Sequence, residues 1–293
     1  MAGTKKQQTV SLAREEDGTI QLTFTIIRNE VEKKLAEVAS DMGQKMEVPG
    51  FRKGKAPLER IMNQIPREQL IEQGLRDILP KYFSDAVKKY KLKPAMYPKF
   101  ELISAEEGKD WQIRAITCEI PEIKLNDYKK EVQGVLAAQN IWTPKEGDKD
   151  KKELTQEEKE QLVLKTLLDK TNVTIPHVLI DEEVDAKLAN LLNRLETLGL
   201  SLENYLTSIK KNPQTLRDEY ATQAKETLQL ELLLDHIAQK EAIEITDQEV
   251  EDFIKAAQGD PNFGKTLSKD QQKNAIRSIL RKRGVLAKLS SLG

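Results

Sequence analysis

The chain has 293 residues, long enough for two domains that each bury a sizeable core. Charged residues make up 32% and aromatics 5%, the balance of a helix-rich, heavily solvated protein and not of a compact enzyme with an aromatic-lined pocket. A net charge of -1 excludes nucleic-acid binding through an overall basic excess, so any such contact must be local.

Thr19 to Ile26, TIQLTFTI, alternates apolar Ile20, Leu22, Phe24 and Ile26 with polar residues, as a half-buried strand does. Thr9 to Arg14 is its expected hairpin partner across the turn Glu15-Glu16-Asp17-Gly18. Asn29 is placed to cap a helix whose apolar positions Val31, Leu35, Val38 and Met42 recur at three or four residues, carrying the chain to Gly43. The loop-forming stretch VPGFRKGKAP, Val48 to Pro57, follows. Helical spacing resumes near Pro57 and again from Arg67, with Leu75, Ile78 and Leu79 on one face. Pro80 lacks the amide that would bond back to residue 76, so a break is predicted at Leu79, with Pro80 in the first turn of a new helix. Leu92 to Pro98 reads as loop. Phe100 to Ile103 and Trp111 to Ile120, the latter with Ile116, Cys118 and Ile120 alternating, read as two further strands. Residues 1–130 are thus expected to form an α+β domain, a small antiparallel sheet with long helices on one face.

Residues 131–154 lose the pattern and contain the charge run GDKDKKE, which reads as a polar linker. Residues 155–293 are expected to form an extended all-α domain. Val184, Leu188, Leu191, Leu195 and Leu198 make an apolar seam, and Leu216 to Ala238 contains LQLELLLDHIA. Thr246 and Glu249 form a capping box, and Ser268 can cap the last helix.

Most candidate chemistry fails for lack of context. Gly259 to Thr266, GDPNFGKT, satisfies the phosphate-loop pattern, but a helical sequence precedes it where the chemistry needs a buried strand, so a helix–helix turn is the better reading. His177 and His236 are the only histidines and lie in different segments, which argues against a metal site. Cys118, the only cysteine, is expected to be buried in the sheet; one cysteine forms no intramolecular disulfide and fits a reducing compartment. There is no Gly-x-Ser-x-Gly elbow, and no cofactor is implied. The opening MAGTKKQQTV has no apolar leader core, and no apolar run approaches the ~20 residues of a membrane span, so a soluble cytoplasmic protein is expected.

The quoted loop differs from this background. Phe51 gains nothing from exposure to water unless a partner covers it, and Arg52, Lys53 and Lys55 put cations beside it. Gly50 and Gly54 allow tight bends, while Pro49 and Pro57 reduce the number of loop conformers. An apolar anchor ringed by cations suits an acidic protein surface, or phosphates alongside protein. The bland alternative is a solvated basic turn.

GFRKGKAP resembles the ribosome-docking signature of trigger factor, the bacterial chaperone that meets nascent chains at the tunnel exit. The hairpin, long helix and Leu79-Pro80 break resemble that family's N-terminal domain, and EIPEIKLNDYKKEV resembles the segment that closes it. TIPHVLIDEEVDAKL and QAKETLQLELLLDHIAQKEAIEITDQEVEDFI are similar to its helical C-terminal domain. The resemblance implies that Gly50, Phe51, Arg52, Lys53, Gly54 and Lys55 contact the large ribosomal subunit, at a rim protein of the tunnel exit and the adjacent ribosomal RNA. Phe51 would be the apolar anchor and Arg52 and Lys53 the charged contacts. It also implies a helical cradle over nascent or unfolded polypeptides that works without ATP, and it is compatible with a homodimer of free molecules. Family members usually carry an FKBP-like prolyl isomerase domain between the two parts. Residues 131–154 are too short and polar for one, so no enzyme activity is expected. The rival readings are a diverged prolyl isomerase and a basic-loop RNA or protein interaction module. No client-contacting residue is assigned, and RSILRKRG near the C-terminus reads either as a second contact or as a solvated helix end.

Overall fold

The computed structural model describes residues 9–106, 108–120, 122–140, 154–171, 173–257 and 269–292. The chain divides into two compact units: Met1–Ile120 with Pro176–Leu179, and Pro121–Ile175 with Ile180–Gly293.

In the first unit, β1 (Thr9–Arg14), β2 (Thr19–Ile26), β3 (Lys99–Ser104) and β4 (Trp111–Cys118) form an antiparallel sheet in the order β1-β2-β4-β3. Its helices are α1 (Arg28–Lys45), α2 (Leu58–Gln64) and α3 (Arg67–Tyr90). The alternation of β2 holds: Ile20, Leu22, Phe24 and Ile26 are buried against Val31 of α1 and Ile78, Leu79, Tyr82 and Ala86 of α3. Phe24 meets Tyr82 edge-to-face, with ring centroids 6.0 Å apart.

Three details depart from the sequence reading. The face of β4 that joins this core carries Trp111, Ile113 and Ala115, while Ile116 is only half-buried and Ile120 is exposed. Register decides this, since Trp111, Ile113 and Ala115 lie opposite Ile26, Phe24 and Leu22, and directly paired residues share a face. Asn29 does not cap α1. The capping position is Ile27, without a side-chain bond, and the first-turn amide of Arg28 donates instead to Asp110 Oδ1 at 2.7 Å. Nor does Pro80 break α3, which runs unbroken through it. Pro80 and Arg76 are exposed, so the carbonyl deprived of its amide partner can face water, while buried Ile78, Leu79 and Tyr82 hold both sides of the proline to the core.

Among its described residues the regular elements of the second unit are all helices: α4 (Tyr128–Asn140), α5 (Gln156–Lys170), α6 (His177–Thr197, from Ile180 in this unit), α7 (Leu202–Ser208), α8 (Pro213–Lys240), α9 (Asp247–Ala257) and α10 (Lys269–Ser290). Helices α5, α8 and α10 pack on one another, α4 packs on α5 and α10, and α9 on α10. Start signals are local. Thr155 and Glu158 form a capping box on α5, and Asn212 Oδ1 accepts from the Thr215 amide at 2.7 Å ahead of Pro213 at the start of α8. The Thr246–Glu249 box is present at α9, with bonds of 2.8 and 3.3 Å. The expected polar linker is helical over its first part, since α4 buries Val132 and Leu136 at a spacing of four. Residues 141–153, the phosphate-loop pattern Gly259–Thr266 and the Ser268 cap lie outside the described residues.

Candidate functional site

The Val48–Pro57 loop is built from two consecutive turns. The Phe51 amide donates to the Val48 carbonyl at 3.0 Å, and the Lys55 amide to the Arg52 carbonyl at 2.9 Å. The third position of each turn is a glycine with positive φ, Gly50 at +83° and Gly54 at +74°, as a type II turn requires. Pro49 pre-sets the second position of the first turn. The loop's ends are tied down: Val48 is buried and Ala56 half-buried in a small core with Val38 and Ala39 of α1, Ile61 of α2, Ile65 just after α2, and Leu70 of α3. That core closes because Gly43 lets α2 approach α1; a Cβ at Gly43 would lie 2.4 Å from Ile61 Cδ1.

Between these anchors everything points outward. Phe51 is 43% exposed, and Arg52, Lys53 and Lys55 are exposed without an ion pair to any described residue. An apolar ring and three uncompensated cations therefore stand on a frame with few conformers, ready to meet a surface that offers both an apolar recess and negative charge.

Two other features of the first unit compete for attention. A cleft of about 470 Å³ lies among α1, α2 and the β3–β4 turn, with Val31, Leu35, Met62 and Trp111 in its walls and the ion pairs Arg28–Glu32 and Lys109–Glu106 at its rim. Those charges are spent on one another. The second feature gathers Glu15, Asp17 and His177, whose ligand atoms lie within 4.8 Å of one another. Asp17 is already engaged. It accepts from the backbone and ring nitrogens of His177 at 2.8 and 2.7 Å and from the amide and hydroxyl of Thr19 at 2.9 and 3.0 Å. Partial burial alone would raise its pKa, but these bonds outweigh it and hold the carboxyl well below the usual range. The arrangement is a turn-stabilising and helix-capping network. Its members are far apart in the chain, so only a pairing of Asp17 with the sequence start signal Pro176-His177 could have hinted at it.

The family model of the bacterial trigger factor protein matches residues 8–154, and that of the same protein's C-terminus matches residues 143–291. The chain belongs to the trigger factor family. The two matched stretches overlap at residues 143–154. Trigger factor of Streptococcus gordonii is 34% identical over 120 residues, 41% of this chain and 28% of that protein. Trigger factor of Streptococcus agalactiae serotype Ia is 36% identical over 108 residues, 37% of this chain and 25% of that protein. The aligned stretches thus span under a third of those relatives' lengths. A solved structure from work on promiscuous substrate recognition in folding and assembly by the trigger factor chaperone matches 97% of this chain and 99% of its own with a TM-score of 0.60. At 14% identity that likeness shows the fold.

The remaining sequence candidates fall into place around this family fold. Cys118 is fully buried opposite Thr19, and burial pushes its thiol up to about 11, which leaves it unreactive. His236 is half-buried on α8. The basic stretch Arg277–Gly284 belongs to α10, and its cations are largely engaged: Arg277 meets Asp247 at 2.5 Å, Lys282 meets Glu231 at 3.2 Å, and the Arg283 guanidinium lies 5.7 Å from the centroid of the Phe253 ring. Among the described residues no helix is long and apolar enough to cross a membrane.

Proposed function

We propose that this trigger factor relative is an ATP-independent chaperone of the cytoplasm that docks on the large ribosomal subunit beside the tunnel exit and shields nascent polypeptides. The observation that carries the reading is the Val48–Pro57 loop, where Phe51 and three unpaired cations project from a doubly turned, core-anchored frame. Phe51 enters an apolar recess of a rim protein, Arg52 and Lys53 meet acidic side chains or RNA phosphates, and Lys55 adds to the positive field. Gly50 and Gly54 supply the turns that hold this order.

The second unit carries the chaperone role. Leu192, Leu198 and Leu200 at the end of α6 and beyond, and Ile279 on α10, are 44 to 65% exposed, apolar surface that an unfolded segment can cover through weak, rapidly released contacts. Residues 131–154 stand where the family usually carries an isomerase domain and are too short for one, so the chain binds clients without catalysing proline isomerisation.

Co-sedimentation of ribosomes with the wild type and with Phe51→Ala/Arg52→Ala/Lys53→Ala tests the docking claim. The wild type is expected to pellet with the large subunit and the variant to stay in solution; equal pelleting of both would sink the loop's role. Catalytic amounts of the protein are expected to leave the rate of a proline-limited refolding reaction unchanged. Acceleration would instead make the chain a diverged isomerase.

A further inference from the structure

The turn between β1 and β2 gathers negative charge that the fold does not answer with a lysine or an arginine. Glu15 and Asp17 both stand on it, and among the described residues neither has such a partner. The neighbouring cation, Arg14, is paired with Glu119 at 3.2 Å. Elsewhere the chain does otherwise: Glu241 draws two lysines, Lys129 and Lys288, at 2.7 Å each. The basic group that the fold brings to Glu15 and Asp17 is an imidazole, 160 residues beyond Asp17 in the chain. His177 lies in the stretch Pro176–Leu179 of the first unit and places its Nδ1 2.7 Å from Asp17 Oδ2 and 3.9 Å from Glu15 Oε2. These three atoms, one nitrogen and two carboxylate oxygens, are aimed by groups outside the set. Gln21 Nε2 donates to Glu15 Oε1 at 2.7 Å, which leaves Oε2 toward the imidazole. The Thr19 amide holds Asp17 Oδ1 at 2.9 Å, and the Thr19 hydroxyl donates to Oδ2 at 3.0 Å. Outer bonds of this kind orient the ligands of metal centres.

We propose that Glu15, Asp17 and His177 form a binding site for a divalent transition-metal ion, with Zn²⁺ as its fitting probe. An ion held at about 2.0–2.2 Å by each ligand keeps the ligands roughly 3–3.5 Å from one another. The two separations from Nδ1, 2.7 and 3.9 Å, lie a few tenths of an ångström to either side, within reach of side-chain rotation. Without the ion, the hydrogen bond between Nδ1 and Asp17 Oδ2 closes the set. With it, the neutral imidazole carries its hydrogen on Nε2 and turns the Nδ1 lone pair to the metal, and two carboxylates balance the double positive charge. Water takes the fourth position, because the Glu15 and His177 side chains are 42 and 56% exposed. The nitrogen selects the class of ion: imidazole suits Zn²⁺, Ni²⁺ and Cu²⁺, whereas Mg²⁺ and Ca²⁺ take shells of oxygen. The positive end of α6 opposes a cation at its first turn, by less than two carboxylates at contact distance attract it. The ion is thus a clamp that joins the β1–β2 turn to the first turn of α6. This inference stands apart from the docking and chaperone readings.

Equilibrium dialysis and calorimetry of the full chain with Zn²⁺, near neutral pH and in a buffer that does not chelate, test the site. One ion per chain is expected to bind, and an excess of Mg²⁺ to leave it in place. Gln21→Ala removes an outer bond and no ligand, and is expected to weaken binding about tenfold; Glu15→Gln and, separately, His177→Gln are expected to weaken it more than that. Bound Zn²⁺ is also expected to slow hydrogen exchange of the Thr19 and His177 amides severalfold in the wild type, a readout that needs no variant. Thermal unfolding of each variant without metal separates loss of fold from loss of a ligand, and should a variant fail to fold, the exchange result decides. Absence of stoichiometric binding, unchanged exchange at those two amides, or binding that survives both Glu15→Gln and His177→Gln overturns the site. Displacement by Mg²⁺ at equal concentration also overturns it, because the imidazole would then take no part.

Discussion

The chain has two basic stretches of similar appearance, FRKGK in the Val48–Pro57 loop and RSILRKRG in α10, and the structure separates them. In the loop, Arg52, Lys53 and Lys55 have no anionic partner among the described residues and flank an exposed aromatic ring. In α10, Arg277, Lys282 and Lys288 each meet a carboxylate of the same unit, at Asp247, Glu231 and Glu241, and Arg283 lies over Phe253. Charges already satisfied internally gain little from a further anion. A count of cations therefore says less about a partner than the question of which cations the fold leaves unspent.

The sharpest way to break this comparison is to exchange the effects of the two stretches. Phe51→Ala/Arg52→Ala/Lys53→Ala is expected to lower affinity for the large ribosomal subunit about a hundredfold, three lost contacts of about 1 kcal/mol each. It should also flatten the log–log dependence of binding on salt by about one unit, because cations that met phosphates no longer displace counterions. In contrast, Arg277→Ala/Lys282→Ala/Arg283→Ala should leave ribosome affinity within about twofold and instead destabilise the helical unit by about 1–2 kcal/mol, as the loss of several partly exposed pairs does. A large loss of ribosome binding in that second variant would make α10 a contact surface after all.

A smaller effect comes from the loop's foundation. Gly43→Val puts its side chain into Ile61, so overpacking of about 1–3 kcal/mol is expected to loosen the core that holds Val48 and Ala56. Ribosome binding should fall severalfold although no loop residue has changed; unaltered binding would mean that the loop's order is independent of that core.

The smallest effect concerns Glu241, which follows α8. Its carboxylate, 10% exposed, accepts from Lys129 and Lys288 at 2.7 Å each and from Tyr128 at 2.8 Å. Bonds from Lys129, Lys288 and Tyr128 draw its pKa down from 4.5 to about 2, against a desolvation that acts the other way. A carboxyl lowered in the folded state contributes stability that is whole above pH 4.5 and is lost as pH falls from 4.5 toward 2. Glu241→Gln should therefore cost about 1 kcal/mol at pH 7 and almost nothing near pH 2, read from thermal unfolding at both values. A pH-independent difference would show that the bonds to Glu241 are not charge-assisted.

Much of this was legible in the chain, and the exceptions share a cause. The period of two in β2, the helical spacing from Arg67 and the capping boxes at Thr246 and Glu249 are local signals that the folded chain obeys. The misread points depend on residues distant in sequence. Asp110 supplies the bond that Asn29 was expected to make, the core on both sides of Pro80 carries α3 through it, and pairing with β2 chooses Trp111, Ile113 and Ala115 over Ile116 and Ile120 as the inward face of β4. The buried pair Val132 and Leu136 of α4 was lost in a stretch that otherwise reads as polar linker.

For the candidate site, the sequence by itself determined the composition of the loop: one ring, its cations, two glycines and two prolines, all within ten residues. Turn chemistry is written in that order, because only glycine accepts the positive φ of the third position at no cost. Tertiary structure alone decided that Phe51 stays exposed while Val48 does not, and that the loop's cations have no anionic partner among the described residues while Arg277, Lys282 and Arg283 of α10 are engaged. Each of those outcomes is a choice of partner across many residues of chain, and burial and charge pairing are fixed only when the partners have come together.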